Sequence, residues 1–190
     1  MTPGTTTFAA MIEKRQDEQL LKLAAESPNR CDSQRLTPLE AAVAARRADL
    51  CRTLLGLGCD PDFSRTGTDP LERCLQLPGE PPLDILALLL ERSRHPVCDQ
   101  RPSGVTLLHG AVAWGCLAAV PFLMSRGARL SDMDIDCETV AQTALKTGGE
   151  PLLARLREME AAASVKKPST RIPLPVSGEA GTSRFSEPSA

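Results

Sequence analysis

Four segments of this chain fall into one register, and an internal period constrains a fold more than any single residue does. The segment from Arg35, "RLTPLEAAVAARRADLCRTLLGLGC", lies over the segment from Gly104, "GVTLLHGAVAWGCLAAVPFLMSRGA", without a gap. Thr37 falls on Thr106, Leu39 on Leu108, Ala42 on Ala111, Leu54 on Leu123 and Gly58 on Gly127. A copy from Gly67 places Asp69-Pro70-Leu71 at the Thr-Pro-Leu position, and a last one places Thr139 there. The anchors are 32 (37 to 69), 37 (69 to 106) and 33 (106 to 139) residues apart. A period of this length implies one supersecondary unit used several times, each unable to bury its apolar face alone.

The residues within a unit predict a short helix pair. Thr37 and Thr106 are N-cap types whose hydroxyls can accept from a first-turn amide, and Pro38 and Pro70 suit the first helical position, where no amide donor is needed. Leu50, Leu54, Leu55 and Leu57 give the second helix an apolar side, and Gly58 or Gly127 supplies a permissive backbone just past its end. The proline- and glycine-rich stretch "LQLPGEPPLD" forbids a continuous helix and predicts a lengthened loop inside the second unit. Before the first unit, "FAAMIEKRQDEQLLKLAAESPN" reads as two short helices with Phe8, Ala9, Ile12, Leu20, Leu21 and Leu23 inward. The helix expected from Pro151 to Ala163 has a polar face suited to close the row.

This pattern resembles the ankyrin repeat family, Gly-x-Thr-Pro-Leu-His-x-Ala-Ala followed by a helix ending Leu-Leu-x-x-Gly-Ala. The first copy keeps Thr37-Pro38-Leu39, Ala41-Ala42, Leu54-Leu55 and Gly58; the third keeps Thr106, His109, Ala111, Gly115, Gly127 and Ala128. The resemblance implies an all-α solenoid of helix-turn-helix pairs with short β-hairpin fingers over residues 5–163: a cap at 5–34 and repeats at about 35–66, 67–103, 104–136 and 137–163. It also implies a function carried by surface, through the concave helix faces and the finger tips. The groove-facing positions in that register are Ala44, Ala45, Arg73, Gln76, Leu77, Ala113, Trp114, Lys146 and Thr147. The finger tips add Ser64, Arg65, Gln100, Arg101, Met133 and Asp134. Trp114 is the one tryptophan in the chain, and aromatic anchors dominate interface energetics.

Composition narrows the function further. With 22 basic and 24 acidic residues mixed along the chain, no broad field directs it to nucleic acid or anionic lipid. The seven cysteines include no Cys-x-x-Cys, which argues against a zinc site and a disulfide framework and for buried thiols in a reducing compartment. No secretory leader or membrane span is read in the sequence. The expectation is a non-enzymatic protein-binding module, cytoplasmic or nuclear, acting as adaptor, scaffold or inhibitor, with a protein partner and without cofactor, metal or small-molecule substrate. The alternative is the substrate-recognition subunit of a ubiquitin ligase.

The isolated polar candidates have structural readings. His109 is expected to hydrogen-bond near the Thr of its own turn, with Glu40, Glu72 and Gln142 at the equivalent places. His95 reads as a solvated loop residue. The run from Ser131 to Asp136 alternates aspartates but lacks the central glycine and terminal glutamate of a calcium loop, so it reads as an acidic hairpin tip. From 164 to 190 the composition turns to Ser, Pro, Gly and Thr and predicts a disordered tail. Within it, "VKKPSTR" is a candidate docking or phosphorylation-sensitive element, and "RIPLPV" a candidate polyproline II ligand.

Overall fold

The computed structural model describes residues 7–165; of the expected tail Ser164 and Val165 still belong to the last helix, and the rest of it, with its two motifs from Lys166 on, lies outside the described residues. Among the described residues nine α-helices and one 3-10 turn follow one another: α1 Phe8–Glu13, α2 Asp17–Glu26, α3 Pro38–Ala44, α4 Ala48–Gly56, α5 Pro70–Gln76, α6 Leu83–Arg92, α7 Leu107–Ala113, the turn Leu117–Ala119, α8 Val120–Ser125 and α9 Val140–Val165. The last is bent at Gly149, whose φ of 67° is outside helical geometry, and Pro151 begins its second half.

The first helix of each pair starts on a side-chain cap. The Thr37 hydroxyl accepts from the Glu40 amide at 3.1 Å while the Glu40 carboxylate accepts from the Thr37 amide at 2.7 Å. Asp69 and Glu72 repeat the exchange at 2.8 and 3.2 Å. These are capping boxes, in which two orphan donors of a helix start are satisfied reciprocally. The turn out of α3 is equally specified. Arg46 adopts φ 55° and donates to Val43 O at 2.9 Å, and the Arg47 amide reaches back to Ala42 O at 3.0 Å. This is the Schellman pattern, which glycine serves more cheaply, as Gly115 does at φ 71° after α7.

Pairs pack within themselves (α1 on α2, α3 on α4, α5 on α6, α7 on α8) and side by side. α3 lies between α1 and α5, α7 between α5 and α9, and α4 between α2 and α6. One continuous core results, with Leu39, Leu54, Leu71, Leu86, Leu89, Leu108, Leu123 and Leu156 at most 1% exposed. Each fully buried leucine contributes about 1.5–3 kcal/mol relative to exposure, more than a helix of seven residues can gain from propensity.

The ankyrin-repeat solenoid with β-hairpin fingers is corrected by this architecture, which is an all-α helical bundle without a strand among the described residues. At the expected finger positions there are only isolated bridges, Gln100 with Thr106 and Met133 with Thr139. The reason lies in where the backbone amides go. Asp32 Oδ1 accepts from the Gln34 and Leu36 amides at 2.8 and 3.1 Å, and Asp134 Oδ1 from the Asp136 and Glu138 amides at 3.0 and 2.8 Å. Side chains thus take the donors that a ladder would need. The run from Ser131 to Asp136 is accordingly a turn folded around a buried Asp134 carboxylate and no hairpin tip.

Candidate interaction surface around Trp114

Trp114 is the C-cap of α7, and its amide donates to Gly110 O at 2.9 Å. Its ring lies over Gly110, where even a Cβ would come within 2.9–3.0 Å of the indole carbons Cη2 and Cε3. The glycine therefore makes room for the indole. The ring remains 40% exposed, whereas Phe8 is buried and Phe122 is half-buried with the Arg126 guanidinium 5.1 Å from its centroid. Exposed indole next to the molecule's own backbone is rigid contact area.

Beside the ring is a cavity of about 430 Å³ lined by Leu75, Gln76, Leu77, Pro78, Gly79, Trp114, Gly115 and Cys116. One wall is the lengthened loop of the second pair. Arg46 holds that loop from the neighbouring pair, donating from Nη1 to Glu80 O at 2.6 Å and from Nη2 to Pro78 O at 2.5 Å. No short-range sequence signal joins Arg46 to Pro78. The link spans 32 residues and only the stacking of α3 on α5 creates it.

The sequence-derived residues divide among several environments. Gln76, Leu77 and Trp114 line the one cavity, and Ala113 is exposed beside Trp114. Arg73 is half-buried, with its guanidinium 3.9 Å from the Glu40 carboxylate. Lys146 is exposed and pairs with the Glu138 carboxylate, and the Thr147 hydroxyl donates to Thr143 O at 2.8 Å on the same helix. Arg65 is exposed; Met133 is 56% exposed, its carbonyl accepting from Gln100 Nε2 at 3.3 Å.

Arg101 is not on a rim. It is 4% exposed; Nε and Nη2 meet Asp69 Oδ2 at 2.6 and 2.5 Å, and Nη2 also donates to Asp62 Oδ1 at 2.7 Å. A guanidinium can leave water only where carboxylates replace its hydration, and the two that do so come from the preceding loop and the α5 cap. Burial would raise the Asp62 carboxyl, but donors from Ser93, Arg94 and Arg101 outweigh it and hold it below its ordinary 3.8. At Asp69 burial prevails over the same cation and the carboxyl sits above 3.8, while Asp69 and Asp62 keep Arg101 more firmly protonated despite its own desolvation. Asp69 gives up more water than Asp62 does, which accounts for the opposite signs.

The remaining motif residues are engaged in the scaffold. Thr37, Pro38, Leu39 and Thr106 are buried at helix starts; Gly58 and Gly127 follow α4 and α8 at φ 91° and 112°. The His109 ring is 2% exposed and spanned on both sides, Nδ1 at 2.8 Å from the Thr106 hydroxyl and Nε2 at 3.0 Å from Glu138 O. A carbonyl only accepts, so Nε2 donates to Glu138 O, and Nδ1 shares a hydrogen bond with the Thr106 hydroxyl. His95 is exposed, 3.5 Å from the Asp99 carboxylate. Burial pushes Cys51 up to about 12 and Cys59 to about 11, and raises Cys74 and Cys116 as well, so these thiols are protonated near neutrality. Among the described residues no cluster of His, Cys, Asp and Glu is arranged to hold a metal ion, and no helix is long and apolar enough to cross a membrane.

No protein-family model matches the chain. Over 107 residues it is 26% identical to Alpha-latroinsectotoxin-Lt1a of Latrodectus tredecimguttatus, a match that covers 56% of this chain and 7% of that protein. The chain is thus similar to one short stretch of a far longer protein.

Proposed function

We propose that this chain is a non-enzymatic protein-recognition module, an adaptor, scaffold or inhibitor, with Trp114 and the cavity beside it as its principal contact. The observation that carries the reading is an exposed sole tryptophan bordering a cavity of about 430 Å³ whose far wall, the loop from Leu77 to Pro82, is tied down by Arg46. Ordering is then largely complete before a partner arrives, and less conformational entropy is lost on binding. The partner presents an apolar side chain to the indole and fills the space against Leu77 and Pro78.

Quantitative binding of a captured partner to the wild-type chain, to Trp114→Ala and to Arg52→Ala tests this. Arg52 is exposed on α4. Losing an aromatic anchor costs about 2 kcal/mol or more, roughly thirtyfold in affinity, whereas Arg52→Ala should bind as wild type does. The reverse outcome, with Trp114→Ala binding normally and Arg52→Ala weakened, would move the contact to the second helices of the pairs and refute the assignment.

A further inference from the structure

The two most exposed large apolar side chains among the described residues stand two positions apart on the turn before α9. Met133 is 56% exposed and Ile135 68%, and the residue between them, Asp134, is buried, so the pair faces outward. The backbone that carries them is fastened on several sides. The Ile135 amide donates to Gly104 O at 2.8 Å, the Asp134 amide to Glu138 O at 3.0 Å and Gln100 Nε2 to Met133 O. Ile135 lies over Gly104, where a Cβ would come within 2.8 Å of its Cγ2. The residues at the same distance before the other three caps are Ser33, Arg65 and Pro102, so the stacking of successive loops does not require an isoleucine here. Neither Met133 nor Ile135 belongs to the core. A fixed apolar pair that no core uses marks a contact surface.

We infer that this turn is a second docking point, separate from Trp114, for a polypeptide segment that carries apolar side chains among lysines or arginines. Charge selects that occupant. The residues from Ser131 to Glu138 include Asp132, Asp134, Asp136 and Glu138 and no lysine or arginine. Of the four carboxylates only Glu138 is ion-paired among the described residues, with Lys146. Arg129, the nearest cation before the run, lines a cavity against the end of α9. Asp136 is exposed directly beside Ile135. The apolar pair thus stands in a negative field, and like charge opposes both the identical turn of a second copy and an anionic bilayer. A cationic segment meets no such opposition: its apolar side chains cover Met133 and Ile135 while its cations lie against Asp136. Charge of this kind sets specificity and the rate of encounter, and apolar cover holds the complex.

Amide spectra of the full, nitrogen-15-labelled chain titrated with the synthetic peptide Lys-Leu-Lys-Leu-Lys, and in parallel with Glu-Leu-Glu-Leu-Glu, test this. The lysine peptide should shift the amides of residues 131–138 and of Gly104 and leave those of α2 in place; the glutamate peptide should shift neither. Met133→Ser combined with Ile135→Ser should weaken the lysine peptide about tenfold or more, and Asp136→Lys should weaken it as well, with a smaller effect at high salt. All three side chains are exposed, so the bundle has no reason to unfold, and unchanged α2 amides verify that it has not. Absence of shifts at 131–138, equal response to the two peptides, or unaltered affinity in the doubly substituted chain would overturn the inference. So would self-association of the wild-type chain in sedimentation that the double substitution abolishes, since the occupant would then be a second copy. Trp114→Ala should bind the lysine peptide as wild type does, so this inference and the Trp114 reading can fail separately.

Discussion

The third residue of α3, α5, α7 and α9 hydrogen-bonds through its side chain, with different chemistries. Glu40 and Glu72 accept from their own cap amides, Gln142 Oε1 accepts from the Thr139 amide at 2.7 Å, and His109 reaches forward to Glu138 O. Glu72 also accepts from the Ser103 hydroxyl in the next loop. Its carboxyl sits above the ordinary 4.5 because burial outweighs the Ser103 donor. A raised carboxyl favours the protonated form in the folded state, so ionised Glu72 costs stability; the cost is fully present above the folded value and fades as pH falls toward 4.5. Glu72→Gln removes the charge and keeps one acceptor for the Asp69 amide, while its NH2 group can donate to the Ser103 hydroxyl, which accepts as well as donates. Urea melts at pH 7.5 should find it as stable as wild type or more so, by up to about 1 kcal/mol, with the difference shrinking at pH 4.5. A wild-type advantage at pH 7.5 would contradict this account. The caps themselves were legible in the sequence because their chemistry is local, three residues apart.

Between α6 and α7 a loop closes on a cation, and its sequence conceals this. Arg101 reads as a solvent-facing charge, yet its partners Asp69 and Asp62 are 32 and 39 residues away, and only packing of successive pairs brings them together. Arg101→Met should remove the compensation of two buried carboxylates and cost about 3–5 kcal/mol, read as a fall in the urea midpoint. A variant as stable as wild type but slow to bind its partner would restore Arg101 to the surface. The missing strands have a similar origin. The ankyrin resemblance implied hairpins, but the Asp32 and Asp134 carboxylates accept from the amides that a ladder would use. The loop from Leu77 to Pro82 was legible as irregular from its prolines, while its fastening to Arg46 was not.

Across the whole molecule, the period in the sequence corresponds to helix pairs laid side by side, because caps, apolar spacing and turn residues agree within each unit. How the pairs abut depends on contacts no single unit encodes. The buried thiols turn that arrangement to use. Cys51 and Cys59 belong to the first full pair, Cys74 to the second and Cys116 to the third, and all four are buried, while Cys98 and Cys137 face solvent. An alkylating reagent modifies a covered thiol only while its pair is open, so the four act as clocks distributed along the chain. Mass spectrometry of labelled peptides should show Cys98 and Cys137 modified at once and Cys74, in the middle pair of the row, modified last. Labelling of all four at one rate would instead mean that the pairs open only together. The cysteines thus make the order of opening along the chain measurable without an added probe.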